Sequence, residues 1–243
     1  MSTNKYVIAG LKVLMTVHYD MLRERSEKYL CEFSGEPDMI IEAPEDKMDL
    51  LRRESPNLND PQREYIITSA QFYNYLLEFD GFLLHSSAIS YDGKAYLFSA
   101  DCGTGKSTHT RLWCEYLGDA VKKINDDKPA IRLVDGTFCA IGTPWSGKTA
   151  ENENVVVPVG GVVLLNRGLV NKIEPAERLN AVMSLLRQTF FPPKRENTDR
   201  MADLMDKFIR AVPVYRLECD MSEEAVKTSF EALTGTKYEK GSK

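Results

Sequence analysis

A mixed α/β fold built around one glycine-rich turn is what this sequence predicts, and three observations predict it. Short apolar runs with period-two alternation are interleaved with amphipathic stretches at helical spacing. The Tyr91-Asp92-Gly93-Lys94 turn separates the strand-like runs Phe82 to Ser90 and Ala95 to Ser99, which makes them an antiparallel hairpin. The second run ends in Ala100-Asp101-Cys102-Gly103-Thr104-Gly105-Lys106-Ser107, and a helical pattern follows at once. A strand before such a turn commonly has parallel neighbours, so the hairpin points to a less common, mixed sheet.

At 243 residues, 43% of them hydrophobic, the chain is long enough for one large domain, read as a lead-in over 1–64 and a core over 65–235. The formal net charge of −5 provides no basic field for a nucleic-acid backbone, so nucleic acid is not an expected partner. Five scattered cysteines without a C-x-x-C pair argue for a reducing compartment and against structural zinc. No apolar run approaches the roughly 20 residues that span a bilayer, so a cytoplasmic protein without a membrane partner is expected.

The elements follow in order. Apolar runs at Val7 to Gly10, Leu11 to Val17, Tyr29 to Phe33 and Met39 to Ile41, with a charged and potentially helical stretch from Asp20 to Lys28, make a small α/β lead-in. Glu54 to Arg63, with Pro56 and Pro61, reads as a loop. Ser69 to Phe79 is a core helix that Gly81 stops. After the hairpin and the turn, Lys106 to Leu117 is a helix ended by Gly118, and Val121 to Ile124 is a strand leading into Asn125-Asp126-Asp127. Strands are expected at Ala130 to Val134 and Thr137 to Ile141 around Asp135-Gly136, and at Val155 to Leu165 with a bulge at Gly160-Gly161. Helices at Pro175 to Arg187 and Thr198 to Ala211, a strand at Val214 to Glu218 and a helix at Ser222 to Leu233 complete the chain, and Lys237 to Lys243 frays.

The pattern G-x-x-x-x-G-K-[ST] wraps backbone N–H groups around a phosphate, places a lysine on its outer oxygens and a hydroxyl on Mg²⁺. Gly142 to Thr149 matches every letter, whereas the segment from Ala100 to Ser107 has Ala for the first Gly. Chemistry prefers the imperfect match. Pro144 supplies no N–H, and the Ala-Glu-Asn-Glu-Asn after Thr149 offers no apolar helix face. The Ala100 segment instead follows a strand, has glycines where close approach is wanted, and opens a helix whose N-terminus favours an anion. Backbone groups of Asp101, Cys102, Gly103, Thr104, Gly105 and Lys106 then wrap the β-phosphate, Lys106 bridges β and γ, Ser107 ligates Mg²⁺ and Thr108 reaches the α-phosphate.

Asp126 and Asp127 lie 19 and 20 residues past Ser107, where one carboxylate can hold the metal and its neighbour can take a proton from an attacking hydroxyl. Both serve only if the chain bends there, because adjacent strand residues face opposite ways; the alternative is an exposed acidic turn. His109, one turn into the loop helix, reads as a packing residue.

His85, the Ala100 to Ser107 loop and Asn125-Asp126-Asp127, in that order, resemble the catalytic domain of the bacterial HPr kinase/phosphorylase family over Gly81 to Leu133, and more loosely to Leu165. The resemblance implies the P-loop fold shared with phosphoenolpyruvate carboxykinase, ATP and Mg²⁺ as cofactors, and phosphorylation of a hydroxyl. By position it gives Lys106 and Ser107 the phosphate and Mg²⁺ roles, Asp126 and Asp127 the base and metal roles (Asp127 with Ser107 on the metal), and places His85 beside the transferred phosphate. The glycine-rich signature of true HPr kinases has no counterpart; Thr143 to Lys148 stands in its region. The chain therefore looks closer to HPr-kinase-like proteins of biosynthetic clusters, some of which phosphorylate a serine of a lasso-peptide precursor. Lys148 is then a candidate second cation for the moving phosphoryl group. The expected acceptor is a serine hydroxyl of a peptide or protein, with a small-molecule hydroxyl and a non-catalytic nucleotide sensor as alternatives. Thr189 to Arg195 is a candidate acceptor-facing loop or a buried aromatic plug. Homo-oligomerisation is left open.

Overall fold

The computed structural model describes residues 2–190 and 195–239. Its architecture is α/β with mixed sheets, assembled from three antiparallel or parallel blocks that the chain visits repeatedly.

The lead-in is a three-stranded sheet. β1 (Ser2–Ile8) and β2 (Leu11–Val17) form a hairpin and β3 (Met39–Ile41) adds parallel to β2. The charged stretch forms α1 (Asp20–Ser26), while the Tyr29 to Phe33 run makes only a bridge from Leu30 to Tyr6. The sequence reading has no element between Ile41 and Glu54; the structure has α2 (Glu45–Glu54) there. The expected Glu54 to Arg63 loop shortens to the few residues before α3 (Asp60–Leu76). Asn59 starts α3 with a capping box, its side chain accepting from Gln62 N and the Gln62 side chain accepting from Asn59 N. Such a cap stabilises a helix start by about 1 kcal/mol. That Asn-x-x-Gln signal was present in the sequence, and Pro61 fits the first turn rather than breaking it. The helix stop is Asp80, left-handed at φ 55, and not Gly81, which begins β4 (Gly81–Leu83).

The run Phe82 to Ser90 breaks in two. β4 pairs with β8 (Ala130–Val134), whereas β5 (Ser86–Tyr91) forms the expected hairpin with β6 (Lys94–Ser99) and also pairs with β7 (Val121–Asn125). β8 and β9 (Thr137–Ile141) are the second expected hairpin. The link between the halves is β10 (Val156–Arg167): Val156 to Pro158 run antiparallel to β9, and Val159 to Leu164 run parallel to β6 after a register shift at the Gly160-Gly161 position. The strand before the glycine loop thus has one antiparallel and one parallel neighbour. β12 (Val214–Cys219) adds parallel to β10, and β11 (Lys172–Pro175), absent from the sequence reading, pairs with β12.

Alternation along β6 fixes the layers. Tyr96 and Phe98 point into a core with Trp113 of α4 (Lys106–Leu117) and Phe230 of α7 (Glu223–Thr234), while Ala95 and Leu97 face Leu185 of α5 (Arg178–Arg187) and Phe208 of α6 (Arg195–Ala211). The lead-in shares a third core with the rest of the chain: Tyr6, Val13 and Met15 cluster with Phe72, Tyr73, Leu83, Ile141 and Trp145. No helix among the described residues is long and apolar enough to cross a membrane.

Candidate functional site

Three chain segments cross between the sheet halves at one seam. They are Leu84-His85 between β4 and β5, Asp126 to Pro129 between β7 and β8, and 142–155 between β9 and β10. The glycine loop lies at the end of β6, and Ser99 Oγ donates to the His85 carbonyl at 3.0 Å, tying the loop's strand to the seam.

Gly105, at φ 123, occupies a conformation that side chains rarely adopt, though nothing lies within 4 Å of a Cβ there. Backbone conformation, not space, therefore demands glycine. The same holds at Gly103, φ 78. α4 begins at Lys106, and the hydroxyl of Ser107 is exposed on its first turn. Lys106 is buried, and its ammonium donates to the Ala100 carbonyl at 2.8 Å and the Asp101 carbonyl at 3.5 Å. Burial lowers its pKa, opposed by the nearby Asp127. Arg167 at the end of β10 clasps the loop from outside, donating to the Thr104 carbonyl at 3.0 Å and to that of Gly103. His109 is a core residue: its Nε2 meets Ser229 Oγ at 3.0 Å, its ring packs on Phe98, and burial brings its pKa down to about 4.

The bend required at the acid pair exists. The buried Asn125 side chain accepts from the backbone N–H of Asp127 at 2.9 Å and of Lys128 at 2.7 Å, while its Nδ2 donates to the Thr143 carbonyl at 3.0 Å. An Asx turn of this kind sends the two carboxylates to different surroundings. Asp126 is buried and engaged: Oδ1 accepts from Ser87 at 2.6 Å and Lys123 at 2.9 Å, and Oδ2 from Thr149 at 3.1 Å. Lys123 also donates to Thr110 on α4 at 2.7 Å, which couples this acid to the loop helix. Asp127 instead meets His85, Oδ1 to Nε2 at 3.1 Å. Burial raises the Asp127 pKa, but the His85 hydrogen bond and the charges of Lys128 and Lys106 outweigh it and hold the carboxyl below its ordinary value.

Gln188 completes the network. Its Nε2 donates to Asp101 Oδ1 at 2.9 Å, so its Oε1 faces His85 Nδ1 at 2.8 Å. A carboxylate accepts only, which fixes this amide orientation. Both imidazole nitrogens of His85 therefore face oxygen atoms, Gln188 Oε1 and Asp127 Oδ1.

The perfect-scoring match at Gly142 to Thr149 opens no helix. A Cβ on Gly142 would lie 1.8 Å from the Glu153 carbonyl oxygen, so this glycine serves a close backbone approach. Gly142→Ala is expected to destabilise the protein by about 3 kcal/mol, the upper range for overpacking, read as a lowered melting temperature. Trp145 is buried with Phe72 and Tyr73, and the Gly147 N–H donates to Tyr65 Oη at 2.8 Å. The segment nevertheless borders the acids: a Cβ on Gly147 would stand 2.7 Å from Asp127 Cβ, and Thr149 touches Asp126. Lys148, between them, is exposed and lines none of the cavities around the seam.

Those cavities run in a chain. One of about 330 Å³ beside the loop is lined by Gly105, Thr108, Leu112, Leu165, Arg167 and Met221 among others. A second, of about 220 Å³, contains Asp101 and Thr104 and shares Arg187 and Gln188 with a third, of about 310 Å³, that holds His85 and Lys128. Cys102 is exposed in the loop. Of the Thr189 to Arg195 loop, Phe190 packs on the lead-in core and lines the third cavity; 191–194 and the side chain of Arg195 lie outside the described residues. Sequence reasoning missed Arg167, Lys123, Lys128, Arg187 and Gln188, which carry no local motif.

No group of three or more His, Cys, Asp or Glu among the described residues could hold a metal ion. Ser107 Oγ and Asp127 Oδ2 have no hydrogen-bond partner among the described residues. A hard oxygen donor beside the glycine loop suits Mg²⁺, which takes one or two protein ligands and completes its shell with water and ligand oxygens. Neither the protein-family models nor the curated proteins compared with this chain match it.

Proposed function

We propose that the chain is an ATP- and Mg²⁺-dependent phosphotransferase of the HPr-kinase-like type, with the P-loop fold of phosphoenolpyruvate carboxykinase, acting on a hydroxyl acceptor. The observation that carries this reading is the meeting of His85, Asp127 and the glycine loop through Gln188, residues scattered over the chain. In this reading the nucleoside occupies the cavity lined by Leu112, Leu165 and Arg167, and the phosphates lie on the N–H groups from Asp101 to Lys106 and on Lys106 Nζ. Ser107 would hold Mg²⁺, which would supply charge neutralisation on the phosphates.

Asp127 takes the acceptor proton, because Asp126 is already committed to Lys123, Ser87 and Thr149. The acceptor oxygen bonds to the γ-phosphorus as the bond to the β,γ-bridging oxygen breaks, its electron pair leaving on ADP. His85, at 3.1 Å from Asp127 Oδ1, stands beside the group in flight and orients the carboxylate. We assign the second cation to Arg187, which lines both the second cavity and the third, where His85 lies. Arg187→Ala is expected to lower kcat by about 10²-fold with ATP affinity retained, and Lys148→Met to lower it far less. The reverse order would return the role to Lys148.

The defining test is incubation of the purified chain with Mg²⁺ and γ-labelled ATP, alone and with Ser-containing peptides or small alcohols. Label appearing on an acceptor is the expected result. Nucleotide binding without transfer to acceptor or water would favour a sensing module instead.

A further inference from the structure

Beyond the donor site, the third cavity carries information about the acceptor. It lies between α3, β4 and the His85 seam, and its apolar lining comprises Ile66, Ala70, Leu83 and Phe190. Its charged lining is Lys128 and Arg187, with no aspartate or glutamate.

Lys128 is the informative residue. It is half-buried, and no carboxylate among the described residues lies within ion-pair distance of its ammonium; the adjacent Asp127 is paired with His85. Its backbone is pinned on both sides: the N–H donates to Asn125 Oδ1, and the carbonyl accepts from Thr143 Oγ1 at 2.9 Å and from the Tyr73 hydroxyl. The ammonium stands 5.0 Å from the Tyr65 ring centroid, and the Arg25 guanidinium 5.2 Å from the same ring. Arg25 spends a donor on the Gly147 carbonyl and likewise has no carboxylate partner among the described residues. Lys128 and Arg25 are partly desolvated and held in place; Asp127 meets part of the Lys128 charge but shares its carboxylate with His85 and Lys106, so this region carries more cation than acid, a cost that an anionic ligand offsets. A neutral alcohol would leave that cost unmet.

We propose that this cavity is the acceptor site and that it selects a hydroxyl compound bearing a carboxylate, whose charge is met by the Lys128 ammonium while its hydroxyl faces Asp127 and His85. This rests on the phosphotransferase reading and narrows its substrate class. The carboxylate can belong to a free hydroxy acid or to an acidic residue next to a serine in a peptide.

The test measures transfer from γ-labelled ATP by the full chain to matched pairs: L-serine against L-serinamide, 3-hydroxypropionate against 1,3-propanediol, and Ser peptides with Glu against Gln neighbours. ATP binding is measured separately by titration. The expected result is a kcat/KM about 10-fold or more higher for the carboxylate member of at least one pair, a difference that Lys128→Met erases mainly through KM and Lys128→Arg restores in part. The pair that responds identifies the source as a small acid or a peptide. Equal rates within every pair, a preference that survives Lys128→Met, or bound ATP with no transfer to any member each overturn the acceptor assignment. Failure to bind ATP at all removes the phosphotransferase reading itself.

Discussion

Lys106→Ala is expected to lower phosphoryl transfer from ATP by about 10³-fold while leaving the melting temperature nearly unchanged. The two halves of that expectation have one cause. The Lys106 ammonium is buried, its protein partners are the carbonyls of Ala100 and Asp101, and burial lowers its pKa. It is a desolvated cation without an ion-pair partner among the described residues, so its removal relieves about as much as it costs in the free protein. In the proposed reading a bound triphosphate supplies that counter-charge, and the loss falls on the bound state. Lys106→Met keeps the stem and should behave alike. Turnover and ATP affinity both equal to those of the unaltered protein would show that the phosphates bind elsewhere.

Asp127→Asn is expected to reduce turnover by about 10²- to 10⁴-fold, the range for losing a positioned general base. Its pH signature separates it from a merely structural change. Because the His85 hydrogen bond and the charges of Lys128 and Lys106 outweigh burial, the Asp127 carboxyl titrates below its ordinary value. Activity that needs the carboxylate is therefore fully present above the ordinary carboxylate range and is lost only as pH falls through the depressed value. The variant should lose that acid limb along with the rate, measured as kcat/KM against pH with water or an acceptor. Asp126→Asn is the contrast: its partners Lys123, Ser87 and Thr149 make it a structural ion, and the loss of a buried charge should appear first in the melting temperature. Equal falls in rate with an unchanged acid limb in both variants would move the base elsewhere.

The sequence by itself determined what is local. Asp92-Gly93, the alternation Ala95 to Ser99, the glycines at 103 and 105 and the apolar face with Leu112 and Trp113 determine hairpin, strand, loop and helix. Each signal spans a turn or a face and needs no distant partner. The same locality makes the Gly142 segment the poorer match: Pro144 and the polar stretch after Thr149 are both readable within thirteen residues. The local signals read too coarsely were the Asn59 and Gln62 cap and the amphipathic 45–54 stretch.

Only the tertiary structure decided which side chains share a site. His85 meets Gln188 across 103 positions and Asp127 across 42, and Arg25 reaches Gly147 across 122. Those contacts exist because β10 joins two half-sheets and forces the connections at 84–85, 126–129 and 142–155 through one seam. A crossing loop has no periodicity to announce it, and a lysine such as Lys128 looks the same in sequence whether it faces solvent or lies half-buried beside a cavity. Burial and the balance of charge around a side chain are properties of the packed chain, and they are what bring Lys128, Arg187, His85 and Asp127 to one seam.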